Sequence, residues 1–436
     1  MTTNWGTLAR GQLFDESLVR QRSFGLLPAT HFYNEQAAPG IGSLWFVRKL
    51  YPCLLALYMA DCEHGLSIKS KLRLANAIEA YSCYFTLKID EKARFTQGRR
   101  KFKPHMDDEA YFSCANLLKP SAYVSAPFRQ SCSASMVALK LVQTESARFN
   151  QFSLSALGLR MAQEIFTAAP KGAKSQLKSW IQGEQKSRYL PSAALFKMDD
   201  PPHKGVCRLL EQTVFGQTTG EERIRSALRS WFDDIDPDKF SFQWNTKPSS
   251  LSDEYWKRLH EASSYTAFLN SLRDILSGIE QTLNAGQRTA PATLEKVPVP
   301  EHQEITIADL ITRSRQAAHR YLNEPHSSAQ NVAVALEMAE LVAKEPSAKL
   351  ILRLCSHDRT TFDTDGGEIL RKTERSTRFK PSSDRISADG WCSFGELPQS
   401  LSSLYWLARD LAGEHEALAA MKQTPEETDE EGLNDD

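Results

Sequence analysis

The chain lacks the run of about 18 to 20 apolar residues that a membrane-spanning helix needs. Its longest apolar stretch, Cys53 to Met59, is bracketed by Arg48, Lys49 and Asp61, so it reads as a buried helix and no membrane partner is expected. The first residues, MTTNWGTLARGQLFDESLVRQR, hold neither an apolar signal core nor a small-residue cleavage site, which predicts a cytoplasmic protein. Eight cysteines (Cys53, Cys62, Cys83, Cys114, Cys132, Cys207, Cys355 and Cys392) are scattered, none at the short spacing of a zinc knuckle. Reduced, mostly buried thiols and no bound metal are expected. There is no GxxxxGK[ST] loop, no GxGxxG and no GxSxG, so ATPase, dinucleotide-binding and α/β-hydrolase chemistry have no local support and no cofactor is expected.

What the chain does have is a charge split that its net charge of −1 conceals. Residues 1–200 carry 26 Lys and Arg against 16 Asp and Glu, and residues 201–436 carry 27 against 38, so a half at +10 is joined to a half at −11. Clustered cations attract a polyanion by releasing its condensed counterions. Nucleic acid, in particular duplex DNA, is therefore the expected partner. With 436 residues, 41% of them hydrophobic, the chain has material for two or three domain cores.

Hydrophobic periodicity predicts a mainly α, multidomain protein. A basic N-terminal region covers residues 1–170, a helical middle region 171–285, a helical or mixed C-terminal region 305–415, and an acidic tail 421–436. Gly40 to Asp61 reads as a helix that Pro52 kinks, Lys71 to Phe85 as a second, and Asp108 to Leu118 and Ser133 to Val142 as short ones. Glu221 to Asp233 is the clear helix of a stretch rich in Pro and Trp. Ser252 to Leu283 places Trp256, Leu259, Ala262, Phe268, Leu272, Ile275 and Ile279 at helical spacing, in one helix or two. Pro291, Pro298 and Pro300 make residues 286–304 a linker, after which Ile307 to Leu322 and Ala329 to Val342 are helices and Lys349 to Leu354 a strand. Thr360 to Trp391 is a small β or loop-rich segment, and Leu401 to Leu411 a closing helix. The end, PEETDEEGLNDD, holds seven acids and no base, the composition of a disordered tail.

Within the basic half, KARFTQGRRKFKPH (residues 92–105) interleaves Lys92, Arg94, Arg99, Arg100, Lys101 and Lys103 with Phe95 and Phe102. Gly98 and Pro104 predict a surface loop or short turn. Cations presented together neutralise several phosphates, so these six side chains are the candidate DNA contacts; such contacts position a protein without reading bases. The plainer alternative is a solvated loop that keeps the domain soluble.

Further on, Phe149 to Leu154 alternates as a strand, Ser155 can cap the next helix, and Leu157, Met161, Ala162 and Ile165 recur at helical spacing. The phrase FSLSALGLRMAQEIF resembles the close of many bacterial winged-helix domains, with Phe152 and Leu154 in the wing strand, Ser155 in the turn, and Gly158 and Ala162 in the helix. Read without that resemblance, it is a capped amphipathic helix. PGIGSLWFVRKLY, Pro39 to Tyr51, resembles the Pro-Gly-Ile opening of a family of uncharacterised bacterial proteins often encoded among anti-phage defence genes. LYWLARDL, Leu404 to Leu411, resembles that family's closing helix, although its paired Arg and paired Tyr are reduced here to Arg48, Lys49 and a single Tyr51. The resemblance implies a setting in phage or mobile-element defence and no particular chemistry.

The densest set of catalytic residue types is Cys355, His357 and Asp358 with Asp363, Asp365 and Glu368. Asp363 and Asp365 can hold Mg²⁺ beside a phosphate while His357 moves a proton, which makes a metal-dependent nuclease the rival reading. A calcium loop is excluded, since registering Asp363, Asp365 and Gly366 on its third, fifth and sixth positions puts Thr361 first and Lys372 last, where carboxylates belong. A polar turn is the simpler reading. Asp236 and Asp238 begin like a restriction-type nuclease core, but Asn245, Thr246 and Lys247 lack the acid two before the lysine. His203 and Cys207 suit one helical turn as metal ligands, with no second pair nearby. The expected function is a non-enzymatic DNA-binding or adaptor subunit of a bacterial defence system whose motor or nuclease is another chain. A structural scaffold without nucleic-acid contact is the third possibility.

Overall fold

The computed structural model describes residues 24–63, 69–93, 95–146, 148–184, 196–233, 241–243, 246–300, 302–359, 361–372, 391–393 and 397–414. It is mainly helical, as periodicity predicts. The chain forms two compact units, each assembled from two separated stretches: Met1–Ala37 with Asp234–Pro398, and Ala38–Asp233 with Gln399–Asp436. The acidic tail at 421–436 lies outside the described residues.

Helix α1 (Leu27–Ala37) belongs to the first unit. The second unit begins with a 3₁₀ turn, Val47–Leu50, that runs into α2 (Tyr51–Asp61). Pro52 does not kink α2: it occupies the first turn, where its missing N–H has no intrahelical partner to lose. α2 buries Tyr51 to Leu57 and Met59, and α3 (Lys71–Ile89) packs along it. The short helices α4 (Arg99–Phe102) and α5 (Cys114–Leu117) lead to α6 (Phe128–Ala138). An antiparallel ribbon of β1 (Val142–Gln143) and β2 (Ser153–Leu154) then feeds α7 (Ala156–Ala168). α8 (Ala173–Gln182), α9 (Lys204–Val214) and α10 (Gly220–Phe232) follow, the last with a reciprocal capping box between Thr219 and Glu222.

The passage from α6 to α7 is tight. Leu141 N donates to Met136 O at 2.9 Å and Lys140 N to Val137 O at 3.0 Å, a turn that forces Lys140 to a φ of +54°. Ser155 accepts from Gly158 N at 3.0 Å and donates to Lys140 O at 2.7 Å, which fastens the start of α7 to the end of α6. Gly158 rests on the Leu141 carbonyl, where a Cβ would stand 2.1 Å from the oxygen. The strand is shorter than alternation suggests, because Phe149–Gln151 close a 3₁₀ turn that buries Phe149 and only Ser153 and Leu154 pair.

In the first unit, β3 (Ser241–Gln243) precedes α11 (Asp253–Thr282), one unbroken helix of 30 residues. Residues 286–304 are not a linker. They form β4 (Arg288–Thr289), α12 (Pro291–Leu294), β5 (Pro298–Val299) and the start of β6 (His302–Thr306), with β5 paired to β6; Pro291 and Pro298 sit at a helix and a strand start, where no N–H is needed, and Pro300 in the turn after β5. α13 (Ile307–Leu322) packs along α11 at Gly278, where a Cβ would meet Leu310 at 2.8 Å. α14 (Gln330–Lys344) and α15 (Ser347–His357) follow. The expected strand at Lys349 to Leu354 is inside α15, whose Leu350, Ile351 and Leu354 form a helical stripe too short to distinguish the two periods in sequence. β7 (Phe362–Asp363), β8 (Ile369–Arg371) and β9 (Trp391–Ser393) supply the small β content, in the order β4-β8-β7 and β3-β9.

α16 (Gln399–Leu411) returns to the second unit and completes it. Its Asp410, buried, accepts from Val47 N through Oδ2 at 2.7 Å, and its Tyr405 packs edge-on against Phe232 of α10. Replacing Asp410 by Ala leaves the Val47 N–H without this acceptor in a dry site and should cost about 2–4 kcal/mol in urea denaturation, with Asp410→Asn losing less because an acceptor remains. Gly158→Ala should cost at least about 2 kcal/mol, since the Leu141 carbonyl must give way; a variant as stable as the parent would mean that the α6–α7 turn is not rigid.

Candidate nucleic-acid interface

The basic segment takes the second of the forms that Gly98 and Pro104 imply, a short turn at the surface, wound as one helical turn and a 3₁₀ turn. Gly98, at a φ of +83°, caps the start of α4, and Pro104 falls in a 3₁₀ turn, Lys103–His105. Phe95 and Phe102 are buried, so the aromatic side chains are anchors and the cations between them are turned outward. Arg100, Lys101 and Lys103 are exposed, as is Lys92 in the turn after α3; Arg99 is half-buried and donates from Nη2 to Ala93 O at 3.1 Å. Arg94 lies outside the described residues. The stretch Ala38–Asp233 carries 28 Lys and Arg against 17 Asp and Glu, so the positive excess of the N-terminal half belongs to this unit.

The basic turn is tied to α6 through a buried carboxylate. Phe102 stacks on Tyr123 with centroids 5.6 Å apart and rings 8° from parallel. The Tyr123 hydroxyl donates to Glu79 Oε1 at 3.0 Å. Glu79 also accepts from Phe128 N at 2.7 Å and from Arg129 N at 3.1 Å, so a residue of α3 caps α6, whose own N-cap position, Pro127, has no side-chain group to do it. Arg129 extends the network: its Nε donates to Asn76 Oδ1 at 2.9 Å and its guanidinium lies 5.5 Å from the Phe149 ring centroid, in the loop joining β1 to β2. Exposed Lys140 and Arg148 flank that ribbon. Of the acids after α4, Asp108 serves a turn, its Oδ1 accepting from Ala110 N and Tyr111 N.

Complete burial pushes the Glu79 carboxyl up to about 7, opposed by the Phe128 and Arg129 N–H groups and the Tyr123 hydroxyl, which favour the ionised form. Sequence offered one sign of this group: Glu79 falls with Ala75, Ile78 and Ser82 on the inner face of α3, where an acid needs partners. Those partners, 44 to 50 residues away, have no sequence signature.

The other candidate residues stand elsewhere. His357 ends α15, with its imidazole held below the ordinary range by burial and then by Arg353 and Arg359, and Phe24 packs edge-on against it at 6.0 Å. Asp363 is in β7 opposite Leu370, and Asp365 begins a 3₁₀ turn, Asp365–Gly367. Asp236 and Asp238 lie outside the described residues. Among the described residues no group of three or more His, Cys, Asp and Glu is arranged to hold a metal ion. His203 Nδ1 is 3.6 Å from Glu164 Oε2, and burial pushes the Cys207 thiol up to about 12, the behaviour of a thiol that stays protonated. In the first unit, a cluster that sequence did not disclose joins α1, α11 and α13: Glu261 Oε1 accepts from the Tyr33 hydroxyl at 2.9 Å and lies 3.3 Å from His326 Nδ1, with the Tyr33 and Tyr321 hydroxyls 2.7 Å apart.

Among the described residues no helix is long and apolar enough to cross a membrane. No protein-family model, no curated protein and no solved structure matches the chain.

Glu79 makes the stability of the second unit depend on pH. Its carboxyl titrates higher in the folded protein than its ordinary value of 4.5, so folding favours the protonated form. That contribution is fully present below about pH 4.5 and is lost as pH rises to about 7, with a slope of up to about 1.4 kcal/mol per pH unit. Denaturation midpoints measured across this window should fall more steeply for the wild type than for Glu79→Gln. Parallel curves would show that Glu79 titrates alike in the folded and unfolded chain.

Proposed function

We propose that the second unit binds duplex DNA through its phosphates and that the protein acts as a non-enzymatic DNA-binding or adaptor subunit of a bacterial anti-phage or mobile-element defence system. The observation that carries this reading is the α4 turn, in which exposed Arg100, Lys101 and Lys103 surround a buried Phe102. An anchored turn presents its cations at fixed spacing, so less side-chain and backbone freedom is lost on meeting a phosphate backbone. The order α6, ribbon, α7 fits the helix, wing and closing helix of a winged-helix-like module, with Lys140 and Arg148 at the ribbon. The defence setting rests on the two resembling phrases, Pro39 to Tyr51 and Leu404 to Leu411, which meet at the Val47–Asp410 hydrogen bond. Motor or nuclease activity would then belong to a partner chain, and the protein would work in the cytoplasm.

The triple variant Arg100→Ala, Lys101→Ala, Lys103→Ala tests the reading while leaving half-buried Arg99 in place. Its affinity should fall alike for all duplex sequences, and the slope of log affinity against log salt should shrink by roughly 0.9 for each phosphate that is no longer neutralised. Fluorescence anisotropy at several salt concentrations reads both quantities, with circular dichroism as the folding control. An unchanged slope would move DNA binding to another surface, and a wild type that binds no duplex at low salt would leave a scaffold role.

A further inference from the structure

We propose that a cleft beside the basic turn receives an unstacked nucleobase from an end or break of the bound nucleic acid, an inference that rests on the DNA-binding reading above. The cleft encloses about 420 Å³, within the range of small-ligand sites, and its walls include Trp45, Lys49, Gln97, Phe128, Gln130 and Ser131. Gln97 stands two residues before Arg99, so one wall continues directly into the turn that presents Arg100 and Lys101. Phe128, Gln130 and Ser131 form the first turn of α6. Because Glu79 already occupies the Phe128 and Arg129 N–H groups, recognition here falls to side chains rather than to the helix terminus.

Those side chains suit a base. Trp45 is partly exposed, and its indole is held by Phe95, stacked at 5.4 Å and 28°, and by Phe46 at 4.4 Å. A fixed aromatic face accepts any base by stacking, whatever its sequence context. The Gln97 and Gln130 amides each carry donors and an acceptor, the complement of a base edge. Lys49 adds a positive charge in a nearly dry position, its Nζ donating to Ser43 O at 2.6 Å and lying 5.4 Å from the Phe128 ring centroid. Among the described residues no Asp, Glu, His or Cys lines the cleft, so Lys49 is its one charged group. That charge suits the phosphate that accompanies the base, while the stacking face and the amides meet the neutral base itself.

The test compares a blunt duplex with the same duplex carrying a short single-stranded overhang at either end, by anisotropy at fixed salt. The wild type should bind the overhang duplex more tightly by about fivefold or more, the effect of one stacked base. Trp45→Ala, and separately Gln97→Ala with Gln130→Ala, should lose that preference while holding the blunt duplex as the wild type does; Trp45→Phe should keep most of it. Should Trp45→Ala fail the circular dichroism control, the paired glutamine variant and Trp45→Phe decide. Equal wild-type affinity for both duplexes, or a preference that survives these substitutions, overturns the cleft while leaving duplex binding intact. Absence of wild-type binding to the blunt duplex at low salt would instead remove the DNA-binding reading on which the cleft rests.

Discussion

The hydrogen bond from Val47 N to the Asp410 carboxylate joins positions 363 residues apart and closes the second unit. The 3₁₀ turn it caps leads without a break into α2, and α2 is the helix on which α3 and α7 pack. The orientation of that helix trio is thus referred to a residue that the chain delivers only after passing through the first unit. A carboxylate suits the task because the first N–H groups of a helical turn have no intrahelical partner and carry a partial positive charge. Loop-closure entropy grows only logarithmically with length, so a partner this distant is thermodynamically tolerable; its drawback is kinetic, since the second unit cannot finish before α16 arrives.

A second carboxylate organises the candidate interface by the same physics with a different balance. Glu79 is fully buried, and the two backbone N–H groups and one phenol that it accepts from do not fully offset the loss of water, which is why its carboxyl sits near neutrality. Through it the stacked pair Phe102 and Tyr123 is coupled to the start of α6. Buried aromatics fix where the exposed cations stand. The proposed DNA contacts and the proposed base cleft therefore share one rigid support, and both lie within a unit whose contiguous stretch, Ala38–Asp233, carries the chain's positive excess.

Much of the helical content was legible because long amphipathic stretches state their period many times. Ile307–Leu322 and the helix within Ser252 to Leu283 appear where the apolar spacing puts them. Short elements were not legible for the converse reason: Leu350, Ile351 and Leu354 fit a strand or a helix, and residues 286–304 look like a linker until β5 and β6 pair. The role of Pro52 was hidden because a proline's effect depends on its place in the helix, and the helix start at Tyr51 carries no side-chain cap to announce it. At the candidate site, the cations were visible as composition, whereas the anchoring of Phe102 was not, since a Phe between cations in a solvated loop has the same sequence as one in a core.

By itself, the sequence determined the mainly helical class, the Ser155 cap and the excess of positive charge in the N-terminal half, because each of these depends on local composition or on spacing within a few turns. The tertiary structure alone decided which cations face outward, that Glu79 caps α6, that Asp410 meets Val47, and that Trp45 and Gln97 share a cleft. Those are relations between residues tens to hundreds of positions apart. They are selected by burial, which makes every desolvated N–H and carboxylate find a partner, and no local pattern records which partner that is.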